Sequence, residues 1–158
     1  MVLGAVTFDE TIVVNNIEKL KIAIITSRFN AEITSELTQR CVHQLKKQGI
    51  QANHVDTYDV PGALEIPYAA AVLMHQDKYD AIIALGCAIR GETYHFELVS
   101  NESAFGLAKL NLKGKTPIIN GVLTVENEAQ AIARLGKAEE CAFAALEMIH
   151  FSKSLSKS

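Results

Sequence analysis

The sequence predicts an α/β fold in which a four-stranded parallel sheet is doubly wound, with helices on both faces. Three observations carry this expectation. Short, almost wholly apolar runs alternate with longer stretches of helical periodicity. Those runs have the continuous character of strands buried on both faces. The connections between them are short, which favours neighbouring elements packed in layers.

The first strand is Lys21-Ile22-Ala23-Ile24-Ile25-Thr26-Ser27. From Ala31 to Gln48 the apolar residues Ile33, Leu37, Cys41 and Leu45 recur every fourth position, and Gly49 ends the pattern. That is an amphipathic helix with a glycine stop. Gln51 to Val60 reads as the second strand. Pro61-Gly62 then breaks the chain before a helix through Leu64, Tyr68, Ala71, Val72 and Met74. Proline fits only the first turn of a helix, so Pro67 places the start around Ala63.

Tyr79 to Leu85 is the third strand, leading into Gly86–Phe96 and a helix over about 94–110. Lys113-Gly114-Lys115 is a turn, and Pro117 to Leu123 the fourth strand. Helices follow at about 127–135 and 138–151, meeting near Gly136. An N-terminal arm, residues 1–20, is expected to carry an extra edge strand at Ile12–Val14, and the polar tail 152–158 to fray. No repeat or linker divides the chain, so 1–158 reads as one domain. The order and spacing make the sandwich flavodoxin-like.

Composition narrows the function. A chain of 158 residues, 49% hydrophobic, has the length to bury a sizeable core. A formal charge of −3 without a long basic run argues against nucleic acid as the main partner. Cys41, Cys87 and Cys141 are widely spaced with no C-x-x-C pair, as expected of reduced thiols in a cytoplasmic protein. No secretory leader is expected in the first ten residues, and no apolar run approaches the ~18 residues of a membrane span. A soluble protein without a membrane partner is the expectation.

Chemistry concentrates in three turns at the carboxyl ends of the strands, where open α/β sheets bind ligands. They are Arg28-Phe29-Asn30, Val60-Pro61-Gly62-Ala63-Leu64-Glu65 and Arg90-Gly91-Glu92-Thr93-Tyr94-His95. The first offers an aromatic face and the second a carboxylate at a helix start. The third combines helix-start N–H groups, which suit an anion, with a histidine able to move protons near neutral pH. Together they fit a flat polar heterocycle and a phosphate. Each residue also has a plainer reading. Phe29 can plug the core, Glu65 can favour a helix dipole, Thr93 can cap a helix, and His95 can be structural. A zinc site from His95, Glu92 and Cys87 matches no standard ligand spacing.

These spellings, in this order, resemble the lumazine synthase family. The matching pieces are Ser27–Asn30, Val60–Pro67, Gly86–Glu97, Ser100-Asn101-Glu102, Gly121–Thr124, Asn127–Ala131 with Arg134, and Ala145–Met148. The resemblance implies condensation of 5-amino-6-(D-ribitylamino)uracil with 3,4-dihydroxy-2-butanone 4-phosphate, with no metal or organic cofactor. It implies that Phe29 stacks on the pyrimidine, with Asn30 beside it, and that Ala63, Leu64 and Glu65 hold the ribityl chain. Cys87, Ala88 and Ile89 would meet the uracil edge through their backbone. Glu92 and Thr93 would meet the phosphate through N–H groups, with His95 as the acid–base group. Arg134 would clamp the phosphate from a neighbouring subunit.

A homo-oligomer is implied too, either a pentamer or an icosahedral shell of pentamers, with riboflavin synthase as a further partner. Two departures stand out. Asn120 occupies a position where the family commonly has an aromatic, and there its amide is expected to bind substrate by hydrogen-bonding a polar ring edge. The loop Leu135–Glu140 is about five residues shorter than in many members. Rival readings are weaker. An FMN module would carry a Ser/Thr-rich loop after the first strand. Gly114-Lys115-Thr116 lacks the first glycine of a nucleotide-binding loop, since Lys109 stands there. A family member that binds lumazine or flavin without catalysis is the alternative.

Overall fold

In the computed structural model, residues 6–9 and 11–156 are described. Four parallel strands form one sheet: β1 (Ile22–Ser27), β2 (Val55–Val60), β3 (Ala81–Ile89) and β4 (Ile118–Val125), in the order β2-β1-β3-β4. Between and after them lie α1 (Ala31–Lys47), α2 (Ile66–His75), α3 (His95–Asn111), the short α4 (Glu128–Ile132) and α5 (Lys137–Leu155). The flavodoxin-like α/β sandwich expected from the sequence is the fold observed.

Strand side chains alternate between faces, and each face has its own core. Ile22, Ile24, Ile83 and Leu85 pack against Leu37, Cys41 and Leu45 of α1 and Cys141, Ala145 and Ile149 of α5. Ala23, Ile25, Ile82 and Ala84 pack against Ile66, Ala70 and Met74 of α2 and Leu107 and Leu110 of α3. β1 is wholly buried, which is why it reads as an unbroken apolar run. On the second face the helices approach closely at Gly106, where a Cβ would lie 2.7 Å from the Pro67 ring. Glycine there lets α3 sit down on the start of α2, drawing together two of the three turns singled out in the sequence.

The expected edge strand at Ile12–Val14 does not form. Those residues join no sheet; Ile12 and Val14 instead pack on the core beneath α1 and α5. Nearby, Phe8 stacks on Phe143 of α5 and the Asp9 N–H donates to Glu147. The apolar pattern was therefore a packing signal against helices. Several boundaries also move. Residues 52–54 form a 3-10 turn before β2, and 63–65 form another before α2. α5 continues through Leu155, with Ser152 and Ser154 hydroxyls donating to carbonyls of the preceding turn.

The largest difference lies in β3, which runs four residues past the expected end at Leu85. Gly86–Ile89 pair with Val122–Val125 of β4, while β1 pairs with β3 only as far as Leu85. The end of β3 therefore has one open edge, facing the end of β1. The chain passes outward from β1 to β2 and returns to β3 on the other side, so this opening lies at the topological switch point.

Candidate active site

A cleft of about 460 Å³ opens at that point, within the size range of small-molecule sites. Phe29 and Asn30 line it from the end of β1, Ala63, Leu64 and Glu65 from the end of β2, and Cys87, Ala88 and Ile89 from β3. Thr93 and His95 complete the set at the start of α3.

The backbone explains how each arrives. Asn30 adopts a left-handed conformation, φ 57°, tolerable for asparagine and costly for most other residues. Its Nδ2 donates to the Cys87 carbonyl at 2.8 Å, across the gap that β1 leaves beside β3. This bond ties the first turn to the third and holds Phe29 at 73% exposure. An aromatic so exposed is no core plug, and its face is available to a ring. In the second turn, Ala63 is buried and anchors the 3-10 turn. The Glu65 carboxylate lies so close over Gly62 that a Cβ there would come within 3.1 Å of it.

Cys87 is buried, and loss of hydration pushes its thiol up to about 11. It stays protonated near neutral pH and is a poor nucleophile. Its backbone carbonyl accepts from Asn30 Nδ2. At the start of α3, Tyr94 holds the capping position without a side-chain hydrogen bond, while the His95 N–H reaches the Thr93 hydroxyl at a long 3.4 Å. The His95 side chain is exposed at the cleft.

Arg90 does not line the cleft. Its Nη1 donates to Glu97, its Nε donates to Glu126 at 2.7 Å, and its guanidinium covers the Phe96 ring at 4.4 Å. The hydrogen bond from Arg90 holds the Glu97 carboxyl below its ordinary range.

Glu92, Asn120 and Arg134 do not line this cleft, the last expected to serve the cleft of a neighbouring subunit. Glu92 is exposed beside this cleft without lining it. Asn120 lies on the β4 strand, its Oδ1 accepting from the Val122 N–H at 3.0 Å, so its amide oxygen serves its own backbone. Arg134 lies beyond α4, which ends at Ile132 instead of near Leu135, and its Nη1 donates to the Gln130 carbonyl at 2.9 Å. Pro61, Gly62, Gly91 and Phe96, named in the sequence only as parts of their segments, also line the cleft, as does Val99, which lies outside them. Val99 was findable, because a residue four beyond His95 shares its helix face. Among the described residues no group of three or more His, Cys, Asp or Glu side chains stands together as a metal site. No helix among them is long and apolar enough to cross a membrane.

An open parallel sheet, with aromatic, carboxylate and imidazole groups converging at its switch point, defines an α/β enzyme of small-molecule chemistry. Residues 19–153 match the sequence model of the 6,7-dimethyl-8-ribityllumazine synthase family. A protein of that name from Methylibium petroleiphilum is 50% identical over 140 residues, covering 88% of each chain. One from Leptothrix cholodnii is 49% identical over 138 residues, covering 87% of this chain and 90% of its own. One from Cupriavidus metallidurans is 45% identical over 139 residues, 87% of this chain and 82% of its own. The chain belongs to the lumazine synthase family, and with it to the transferases of riboflavin biosynthesis.

Proposed function

We propose that this chain condenses 5-amino-6-(D-ribitylamino)uracil with 3,4-dihydroxy-2-butanone 4-phosphate to give 6,7-dimethyl-8-ribityllumazine, phosphate and water. The observation that carries the reading is one cleft shared by Phe29, Glu65 and His95, each from a different turn. Phe29 stacks on the pyrimidine, and the backbone of Cys87, Ala88 and Ile89 reads the uracil edge. Glu65, with the Ala63 and Leu64 backbone, holds the ribityl hydroxyls.

The amine of the uracil attacks the ketone, phosphate leaves, and closure of the second ring expels water. His95 carries protons between the amine and the departing oxygens, a role its exposed position at the cleft supports. Glu92 and Thr93 offer N–H groups to the phosphate at the start of α3. No step of this scheme asks for a metal or organic cofactor; orientation of two reactants supplies much of the acceleration.

Arg134 serves the cleft of a neighbouring subunit as a guanidinium fork for the phosphate. Its absence from the cleft of its own protomer is consistent with that role. Exposed apolar side chains on the 3-10 turn and α2, at Leu64, Tyr68 and Val72, and at Tyr94, Leu98 and Phe105 of the α3 segment, support self-association. The assembly is a homopentamer or a shell of such pentamers, acting in the cytoplasm ahead of riboflavin synthase. A binder without catalysis is not favoured, since relatives near half identity carry the synthase name.

The test is direct. The purified full-length chain, given both substrates, should generate the fluorescent lumazine together with one phosphate per product. Absence of both products in a folded, assembled sample would overturn the reading.

A further inference from the structure

Arg90 is the one cation within the Gly86–Phe96 segment, directly before the turn that carries Thr93 and His95. Chemistry alone would make it a phosphate ligand. Its surroundings argue otherwise. The guanidinium is engaged by two carboxylates from different elements, Glu97 in the first turn of α3 and Glu126 after β4. One positive charge facing two negative ones leaves a local excess of −1, which opposes a phosphate. Its planar face is also occupied, lying over Phe96, which itself lines the cleft. The Arg90 N–H donates to the Val125 carbonyl at 2.9 Å, so backbone and side chain both fasten this point to the end of β4. Glu126 is anchored in turn, its N–H donating to Gln130 Oε1 of α4 at 2.9 Å.

We propose that Arg90 is a positioning residue, fixing the first turn of α3, and so His95 and the Phe96 wall, against the end of β4. It does not bind the phosphate. The assignment of a catalytic consequence rests on the reaction proposed above; the mechanical part does not.

Two measurements separate them. In wild-type protein and Arg90→Ala, amide hydrogen exchange across Gly91–Phe96 should be faster in the variant, with β1 and α5 unchanged. Equal exchange would overturn the positioning role, whatever the enzyme makes. In steady-state assays, Arg90→Ala should lower kcat by ~10–100-fold, the scale of a misplaced catalytic group. Competitive inhibition by inorganic phosphate should shift by less than about 3-fold, since a buttress carries none of the charge-assisted bonds that hold an anion. A kept kcat with phosphate inhibition lost would make Arg90 a phosphate ligand and end the proposal. Arg90→Lys should rescue little, because an ammonium cannot span two carboxylates and cover a ring.

Glu126→Gln, which keeps an acceptor for Nε, should retain most of kcat, whereas Glu126→Ala should fall toward Arg90→Ala. The double variant should be no worse than Arg90→Ala, as for partners in one contact. Additive losses would overturn the coupling. If Arg90→Ala does not fold, the Gln–Ala contrast at Glu126 still decides the matter. A wild-type enzyme that yields no lumazine would remove the reaction while leaving the exchange result to stand or fall alone.

Discussion

The two ends of the sheet are built on opposite plans. Toward the amino end, Asp56 Oδ2 accepts from both Lys78 Nζ and the Tyr79 hydroxyl at 2.6 Å. Lys78 also donates to the Tyr79 hydroxyl at 3.2 Å, Tyr58 shares a hydrogen bond with that hydroxyl, and the two rings meet edge to face. Asp56, Lys78, Tyr58 and Tyr79 thus satisfy one another's polar groups within a single cluster. At the carboxyl end, Phe29 stands exposed, and no hydrogen bond among the described residues engages the His95 ring or the Glu65 carboxylate. Backbone devices hold them in place and leave their side chains open to the cleft. Satisfied polar groups add stability, whereas polar groups positioned but unsatisfied are what a ligand can use.

The strongest way to break this contrast is to remove the freest group. His95→Ala should lower turnover by ~10²–10⁴-fold, the usual contribution of a general acid–base residue. The melting temperature should hardly move, because the ring supports nothing else. Turnover measured at saturating substrates decides it, and an unchanged value would strip His95 of its role.

Next in size is Arg134→Ala. Loss of a charge-assisted contact of ~1.5–3 kcal/mol corresponds to ~10–100-fold in the KM for the butanone phosphate. The KM for the uracil should change far less. Equal rises for both would contradict a phosphate clamp. Mixing this variant with His95→Ala sharpens the comparison further. If each cleft borrows Arg134 from a neighbour, mixed assemblies assayed at butanone phosphate well below the raised KM should exceed the summed activity of the two parents.

The sequence made the layers legible because period and burial agree there. Ile22 to Ile25 are apolar at every position since both faces are covered, and the four-residue recurrence in α1 is that of a buried helix stripe. It failed where a residue's partner is distant in the chain. Gly86 and the small residues after it read as a turn, yet pairing with Val122–Val125 makes them strand. Ile12–Val14 has strand composition but finds a helical surface to pack on. In the candidate site, local spelling marked the three turns, and the cleft gathers most of the residues singled out in them. It could not show that Arg90 spends its charge on Glu97 and Glu126, because Glu126 lies 36 residues away. Nor could local pattern tell that α4 stops short of Arg134.

The smallest effect concerns the saturated end. Tyr79→Phe removes a largely buried hydroxyl from Asp56, Lys78 and Tyr58 at once. Asp56 is partly solvated, so the loss should be discounted to ~1 kcal/mol. For a chain of this size that is a melting point lower by ~2–4 °C. The pH dependence separates the two partners. Hydrogen bonds from Lys78 and then Tyr79 hold the Asp56 carboxyl below its ordinary range. Its contribution is therefore full above the unfolded value of ~3.9 and fades as pH falls through the folded one. Burial first, and the Asp56 bond second, push the Tyr79 hydroxyl above its ordinary range. That contribution is full below the unfolded value of ~10 and fades as pH rises beyond it. Tyr79→Phe should thus flatten the alkaline arm of a melting-temperature profile and leave much of the acid arm, since Lys78 still faces Asp56. Turnover should stay within about 2-fold, because an effect confined to stability adds nothing to the transition state. An unaltered alkaline arm would deny the network its role, and a large drop in turnover would erase the division between the two ends of the sheet.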